Sequence, residues 1–269
     1  MDFINKVLLA FASMVVLSAC GGSSDTTETT GTSDPQVRFA NVSPTAPPLT
    51  LARNGVNRAE ATNVSNIFFS DYFTVDPGNA DYRVSGQHNT GNPPNPDYAF
   101  SQTINFDARR GHKYTILTVA DSSQSGVSAS RPSTLVLVDD PTNPSHVNDD
   151  SYVRAVNGSF NAQKVDIYLI GLNETIDTRP PDLPSISFTQ SNPVSGSDSI
   201  RRRGGDYQVV AATADTKNIL YRGRFTIPEK RDVLFVTVPY IAFTPNGTGV
   251  AIVAKIQGDG GRGGVIPSL

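Results

Sequence analysis

The chain repeats itself. "VRFANVSPTA" from Val37 aligns with "VRAVNGSFNA" from Val153, sharing Val, Arg, Asn, Ser and the closing Ala. Downstream, Asp81-Tyr82-Arg83-Val84 aligns with Asp206-Tyr207-Gln208-Val209, and "YTILTVA" from Tyr114 aligns with "VLFVTVP" from Val233. Three blocks in the same order are hard to produce by chance, and any fold proposed for the chain has to accommodate them twice. They divide it into module 1 over residues 36–140 and module 2 over residues 151–258.

The runs inside each module are short, β-branched and aromatic, with turn residues between them. Module 1 offers seven strand candidates: Val37–Val42, Leu49–Arg53, Ile67–Val75, Tyr82–Ser85, Phe100–Phe106, Lys113–Ala120 and Thr134–Val138. Beyond the leader, no stretch of ten or more residues carries a 3.6-residue apolar period. Seven strands in roughly 100 residues predict an all-β fold, two tandem antiparallel immunoglobulin-like β-sandwich modules. The composition agrees: 38% hydrophobic residues, 22 Gly, 19 Pro and no Trp describe a loop-rich, β-leaning globular chain.

The first residues carry a different message. A short, weakly positive head precedes the apolar run Val7–Leu17, which is well short of the ~20 residues a membrane-spanning helix needs. Such a head, run and small-residue exit predict a secretory signal over residues 1–19. Leu17-Ser18-Ala19-Cys20 resembles the bacterial lipobox, which implies cleavage before Cys20 and acylation of its thiol and new amino group. One acyl chain holds a protein to a bilayer only marginally, and two hold it firmly. Cys20 is the only cysteine, so no intramolecular disulfide is available. Gly21 stands where a retention signal for the inner membrane commonly has Asp, which by the same resemblance favours the outer membrane. Residues 20–35 are small and polar, a flexible tether with nothing apolar to bury. Residues 141–150 read as a linker and 259–269 as a loose Gly-rich tail. Removing residues 1–19 takes away Asp2 and Lys6 alike and leaves the net charge at -3, too small to argue for a nucleic-acid partner.

The repeated blocks also resemble a known family. Val37-Arg38-Phe39-Ala40-Asn41-Val42-Ser43-Pro44-Thr45-Ala46-Pro47, with Leu49-Thr50-Leu51 and Asn54-Gly55, is similar to the opening of the domain of unknown function 4397 family. The second copy carries the continuation, Val165-Asp166-Ile167-Tyr168-Leu169 and Gly171, and the family's G-T-Y-T-V step resembles Gly205-Asp206-Tyr207-Gln208-Val209. The resemblance covers most of residues 36–258. It implies secreted or surface-anchored β-sandwich modules, with no activity to carry over. Asn41 and Asn157 stand where the family commonly has His, and Thr45 and Asn161 where it has Asp.

Candidate chemistry is sparse. His88, His112 and His146 lack a second His or Cys at metal-ligand spacing and read as solvated loop residues. No Ser lies in a G-x-S-x-G elbow. Asp139-Asp140 and Asp149-Asp150 flank the joint between modules, where they are either solvated or ligands for Ca²⁺. Arg201-Arg202-Arg203 reads as a solvated turn or a small anion site. Tyr98 and Phe100 belong to a proline-rich insertion and either anchor it or meet a ligand; Tyr82 and Tyr207 read as structural. No catalytic, cofactor or metal residue is assigned, and Cys20 is the one site, for lipid. The expectation is a non-enzymatic binding or structural protein of the bacterial cell envelope, held to the membrane through Cys20, with an envelope protein or glycan partner. The alternatives are an envelope hydrolase with carboxylates assembled in space and a periplasmic component that binds a ligand or ion.

Overall fold

The computed structural model describes residues 33–88, 98–120, 132–141, 149–240, 249–258 and 263–269. Cys20, the leader, residues 20–32 of the tether and His146 lie outside them, as do the side chains of His88 and Tyr98.

All seven strand candidates of module 1 are strands, the third in two pieces. They are β1 (Gln36–Asn41), β2 (Thr50–Arg53), β3 (Val56–Asn57), β4 (Phe68–Phe69), β5 (Phe73–Thr74), β6 (Gly78–His88), β7 (Tyr98–Ala108), β8 (His112–Ala120) and β9 (Pro132–Pro141). The extra strand, β3, exists because Asn54 and Gly55 both take positive φ (49° and 81°) and turn the chain tightly back onto β2. One sheet runs β4–β1–β8–β9 with β5 also on β1, and the other runs β3–β2–β6–β7. Between them lies a core of Val37, Phe39, Leu51, Tyr82, Val84 and Ile116.

Module 2 is built from β10 (Asp150–Asn157), β11 (Lys164–Ile170), β12 (Leu183–Ser187), β13 (Ser191–Asn192), β14 (Ile200–Arg203), β15 (Gly205–Thr213), β16 (Ile219–Ile227), β17 (Asp232–Tyr240), β18 (Gly249–Ile256) and β19 (Gly264–Val265). Its sheets run β13–β10–β17–β18–β19, with β14 also on β10, and β12–β11–β15–β16. The order of module 1 recurs strand for strand. The repeated blocks are its central strands: β1 pairs with β8 in the register Asn41↔Thr118, and β10 with β17 in the register Asn157↔Thr237. Both pairs are parallel, so these sheets are mixed, where the sequence predicted wholly antiparallel ones. The paired strands lie far apart in sequence, and a parallel pair needs such a long connection where a hairpin gives an antiparallel one.

The modules are not beads on a string. Ala40, Val42, Leu117, Val119, Val136 and Val138 on the outer face of the β1 sheet join one buried cluster with Val236 and the core of module 2. A Cβ placed on Gly158 would meet Val119 and Val236 side chains, each at 3.3 Å, which shows how closely the sheets approach. The two mixed sheets therefore lie face to face and the molecule has four β layers. β1, β8, β10 and β17 are covered on both sides, which explains their nearly continuous apolar runs. β9 extends to Pro141 and β10 begins at Asp150, so both ends of the expected linker are strand residues.

Of the tail expected to be loose, the described residues 263–269 are docked. Val265 pairs with Val253 of β18, Ile266 is buried, and the Leu269 N–H donates to the Arg222 carbonyl at 3.0 Å.

Candidate functional site

The outer faces of the two mixed sheets are apolar at one end and charged at the other. The alternation of β1 that sends Val37 and Phe39 into the module core sends Arg38 outward; on β10 the same alternation sends Arg154 outward. These are the arginines shared by the first repeated block. Both end up buried between the modules, Arg154 at 1% exposure and Arg38 at 5%.

Arg154 donates to Asp140 of module 1 at 2.9 Å, to the Val194 carbonyl at 3.0 Å, and to the Pro193 and Ser197 carbonyls. The Ser199 hydroxyl donates to the same Asp140 oxygen at 3.1 Å. Arg38 lies over the Tyr72 ring, 4.5 Å from its centroid, and donates to the Thr115 hydroxyl at 2.9 Å. Burial pushes the Tyr72 phenol up from its ordinary value, against the pull of the Arg38 charge. Lys113 lies 3.7 Å from Asp232, and Lys255, almost wholly buried, lies 3.9 Å from Asp71. Turned to satisfy both ends, the Gln257 amide donates to Asp232 at 2.6 Å and accepts from Lys113 at 3.1 Å. Four cations thus alternate with carboxylates and a tyrosine. The cavity among Arg38, Tyr72, Asp140, Arg154 and Asp232 measures about 10 Å³, room for one water.

Beside this seam, Asp139 turns to its own module. Its carboxylate takes His112 Nδ1 at 2.6 Å and Arg109 at 2.8 Å. Its backbone is clasped by module 2: the Asp139 N–H donates to the Ser195 hydroxyl and the Gly196 N–H donates to the Asp139 carbonyl, each at 2.8 Å.

These contacts correct several sequence readings. His112 is a strand residue held by a carboxylate, not a solvated loop histidine. Asp139 and Asp140 are neither solvated nor directed at a common cation; each is turned onto a different arginine. No group of three metal-ligating side chains occurs among the described residues. Arg202 is paired with Asp182 and Arg201 lies over Tyr152, 5.8 Å from its centroid, so the arginine run is strand β14 rather than an open anion-binding turn. Asp149 and Asp150 meet β14 through their backbones. Phe100 is buried in the module 1 core and anchors its own sheet.

The tyrosine readings hold in substance. Tyr82 is fully buried, stacks on Phe106 at 4.5 Å and accepts from Arg53 at 3.2 Å, while burial holds its phenol above the usual range. The Tyr207 hydroxyl donates to the Arg203 carbonyl four residues upstream at 2.9 Å, a hydrogen bond back to the backbone like that of a tyrosine corner. Tyr168 and Ile170 point away from Val165, Ile167 and Leu169, as the alternation predicts, into a small cluster with Ile176, Val210 and Ala212. Burial, reinforced by the Asp166 and Asp182 carboxylates, raises the Tyr168 phenol.

Sequence reasoning missed Arg38, Lys113, Arg154, Asp232 and Lys255 altogether. The one signal was the arginine embedded in an apolar strand and repeated in both copies; it asks for a buried partner but does not say where that partner is.

No curated protein matches the chain. The family model described as Domain of unknown function (DUF4397) matches residues 35–168, that is, all of module 1, β10 and most of β11. Beyond residue 168, the likeness between the modules rests on the repeated blocks and the shared strand order.

Proposed function

We propose that this chain, whose residues 35–168 are a DUF4397 domain, is a non-enzymatic binding or structural protein of the bacterial cell envelope, anchored by lipid at Cys20. The observation that carries the non-enzymatic reading is the use made of the gathered charges. Where the described residues bring acids, a histidine and arginines together, each acid faces a cation across 2.6–3.9 Å, Asp139 within module 1 and Asp71, Asp140 and Asp232 from one module to the other. The His112–Asp139 pair is the nearest approach to a catalytic dyad, but its carboxylate is shared with Arg109 and its backbone is part of the clasp. The anchor reading is supported by Leu17-Ser18-Ala19-Cys20 behind a short apolar run.

The test of the anchor is Cys20→Ser in the bacterial host. The substitution is expected to abolish labelling by a palmitate analogue and to leave precursor or soluble protein; undiminished labelling refutes the proposal.

A further inference from the structure

An exposed sheet edge is a row of unpaired main-chain donors and acceptors, and folds of this kind cover or interrupt their edges. This one does so at most of them. β18 is covered by β19, and β16 by the C-terminal segment, where Gly223 bridges Ser268. β4, β5, β13 and β14 are two to four residues long. Two long edges remain: β7, eleven residues, and β9, ten residues, which among the described residues is covered only at its ends.

The direction of its free groups follows from the clasp. The Asp139 N–H and C=O both bond outward, to Ser195 and Gly196, so Asp139 turns its backbone away from β8. In an antiparallel pair that orientation recurs at every second residue. Leu137 and Leu135 therefore also point their N–H and C=O groups outward; at the register shift beyond them, the Ser133 carbonyl accepts from Gln102. Between the Gln102 contact and the clasp, no described residue bonds the outward groups of Leu135 and Leu137. They face a groove of about 270 Å³ whose far wall is Thr189, Gln190, Ser191 and Ser195. Among the described residues, no charged or aromatic side chain lines it.

We propose that β9 accepts an extended, uncharged peptide segment of a partner protein, added as a further strand along Leu135–Leu137. The inference deepens the binding-module reading and rests on it. A ladder of alternating donors and acceptors is complementary to another main chain. A glycan is commonly held by aromatic platforms and side-chain hydrogen bonds, and this groove has no aromatic platform. A charged segment would be desolvated there with no counter-charge.

The probe is acetyl-Thr-Val-Ser-Val-Thr-amide, added to the soluble 21–269 chain and followed by amide hydrogen exchange. At saturation, exchange at Leu135 and Leu137 is expected to slow about tenfold or more. The same peptide N-methylated on alternate residues, and a Lys-substituted one, are expected to give no slowing. Leu137→Pro removes an outward donor without breaking a β8–β9 bond and is expected to weaken binding at least about fivefold. Gln190→Lys, on the far wall and exposed, is expected to do the same in a fold it leaves intact. Absence of slowing, equal slowing by the N-methylated or charged peptide, or protection that rises with protein concentration alone overturns the proposal; the last would mean that a second copy occupies the edge. Since the assay uses soluble chain, failure here leaves the Cys20 anchor standing, and loss of palmitate labelling leaves the peptide edge standing.

Discussion

At the scale of single residues, the two asparagines that replace the family's His position explain why the repeat kept them. Asn41 is fully buried; its amide donates to the Pro47 and Val64 carbonyls, each at 3.0 Å, and its oxygen accepts from Thr118 at 3.1 Å. Asn157 does the same one module later, donating to Ala162 at 2.7 Å and Ile186 at 3.1 Å and accepting from Thr237 at 2.7 Å. Each Asn ties the first strand to its parallel neighbour and to the turn that follows, and the Thr of the third repeated block is its partner. The Asn–Thr match was legible in the sequence as two separate coincidences; that they are one hydrogen-bonded latch was not, because 80 residues separate Asn157 from Thr237. Asn157→Ala is expected to lower stability by about 2–3 kcal/mol, because it orphans buried carbonyls as well as removing bonds. Tyr168→Phe, at a hydroxyl with no hydrogen-bond partner among the described residues, is expected to change stability by less than about 0.5 kcal/mol or to raise it. Urea unfolding of both variants checks this, and comparable losses would contradict it.

At the scale of elements, the instructive case is the C-terminal segment. Gly-rich sequence is a poor strand former, and "QGDGGRGG" reads as a stop. Nothing local marks the residues beyond it as part of the sheet. They are held by what they meet: Ile266 enters the core, Tyr221 donates to the Ile266 carbonyl, and Gly223 leaves room for the chain to pass. A Cβ on Gly223 would lie 2.6 Å from the Pro267 oxygen and 2.8 Å from an Ile266 methyl. Gly223→Ala is therefore expected to destabilise the full chain and to cost much less once residues 263–269 are removed. The truncation by itself should cost about 1.5–3 kcal/mol, the burial of one large aliphatic side chain. Thermal melts of the four proteins form the cycle; additive losses would mean that glycine and tail are not coupled.

At the scale of the whole molecule, the decisive fact is that module 1 and module 2 share a face. Residues 33–141 alone would expose Val42, Leu117, Val119, Val136 and Val138 and leave Arg38 and Lys113 without their cross-module surroundings. The isolated segment is expected to bind a hydrophobic dye or aggregate, and the full chain to unfold in one calorimetric transition. Arg154→Ala should lower that transition without splitting it, by about 3–5 kcal/mol, because Asp140 and three carbonyls lose a buried partner. Two separate transitions, with a stable, soluble 33–141 segment, would show that the modules are independent after all.

What the sequence determined by itself was the local: an all-β chain and the strands of module 1. Those follow from alternation and turn chemistry, which act over a few residues. Only the tertiary structure decided that the first strands run parallel to distant ones, that the modules stack in four layers, and that Asp139 and Asp140 are each turned onto a different arginine. The physical reason is that an outward-facing arginine or aspartate has the same sequence signature whether water or another sheet lies beyond it. Burial between modules is set by where the second surface arrives, and short-range pattern carries no record of that.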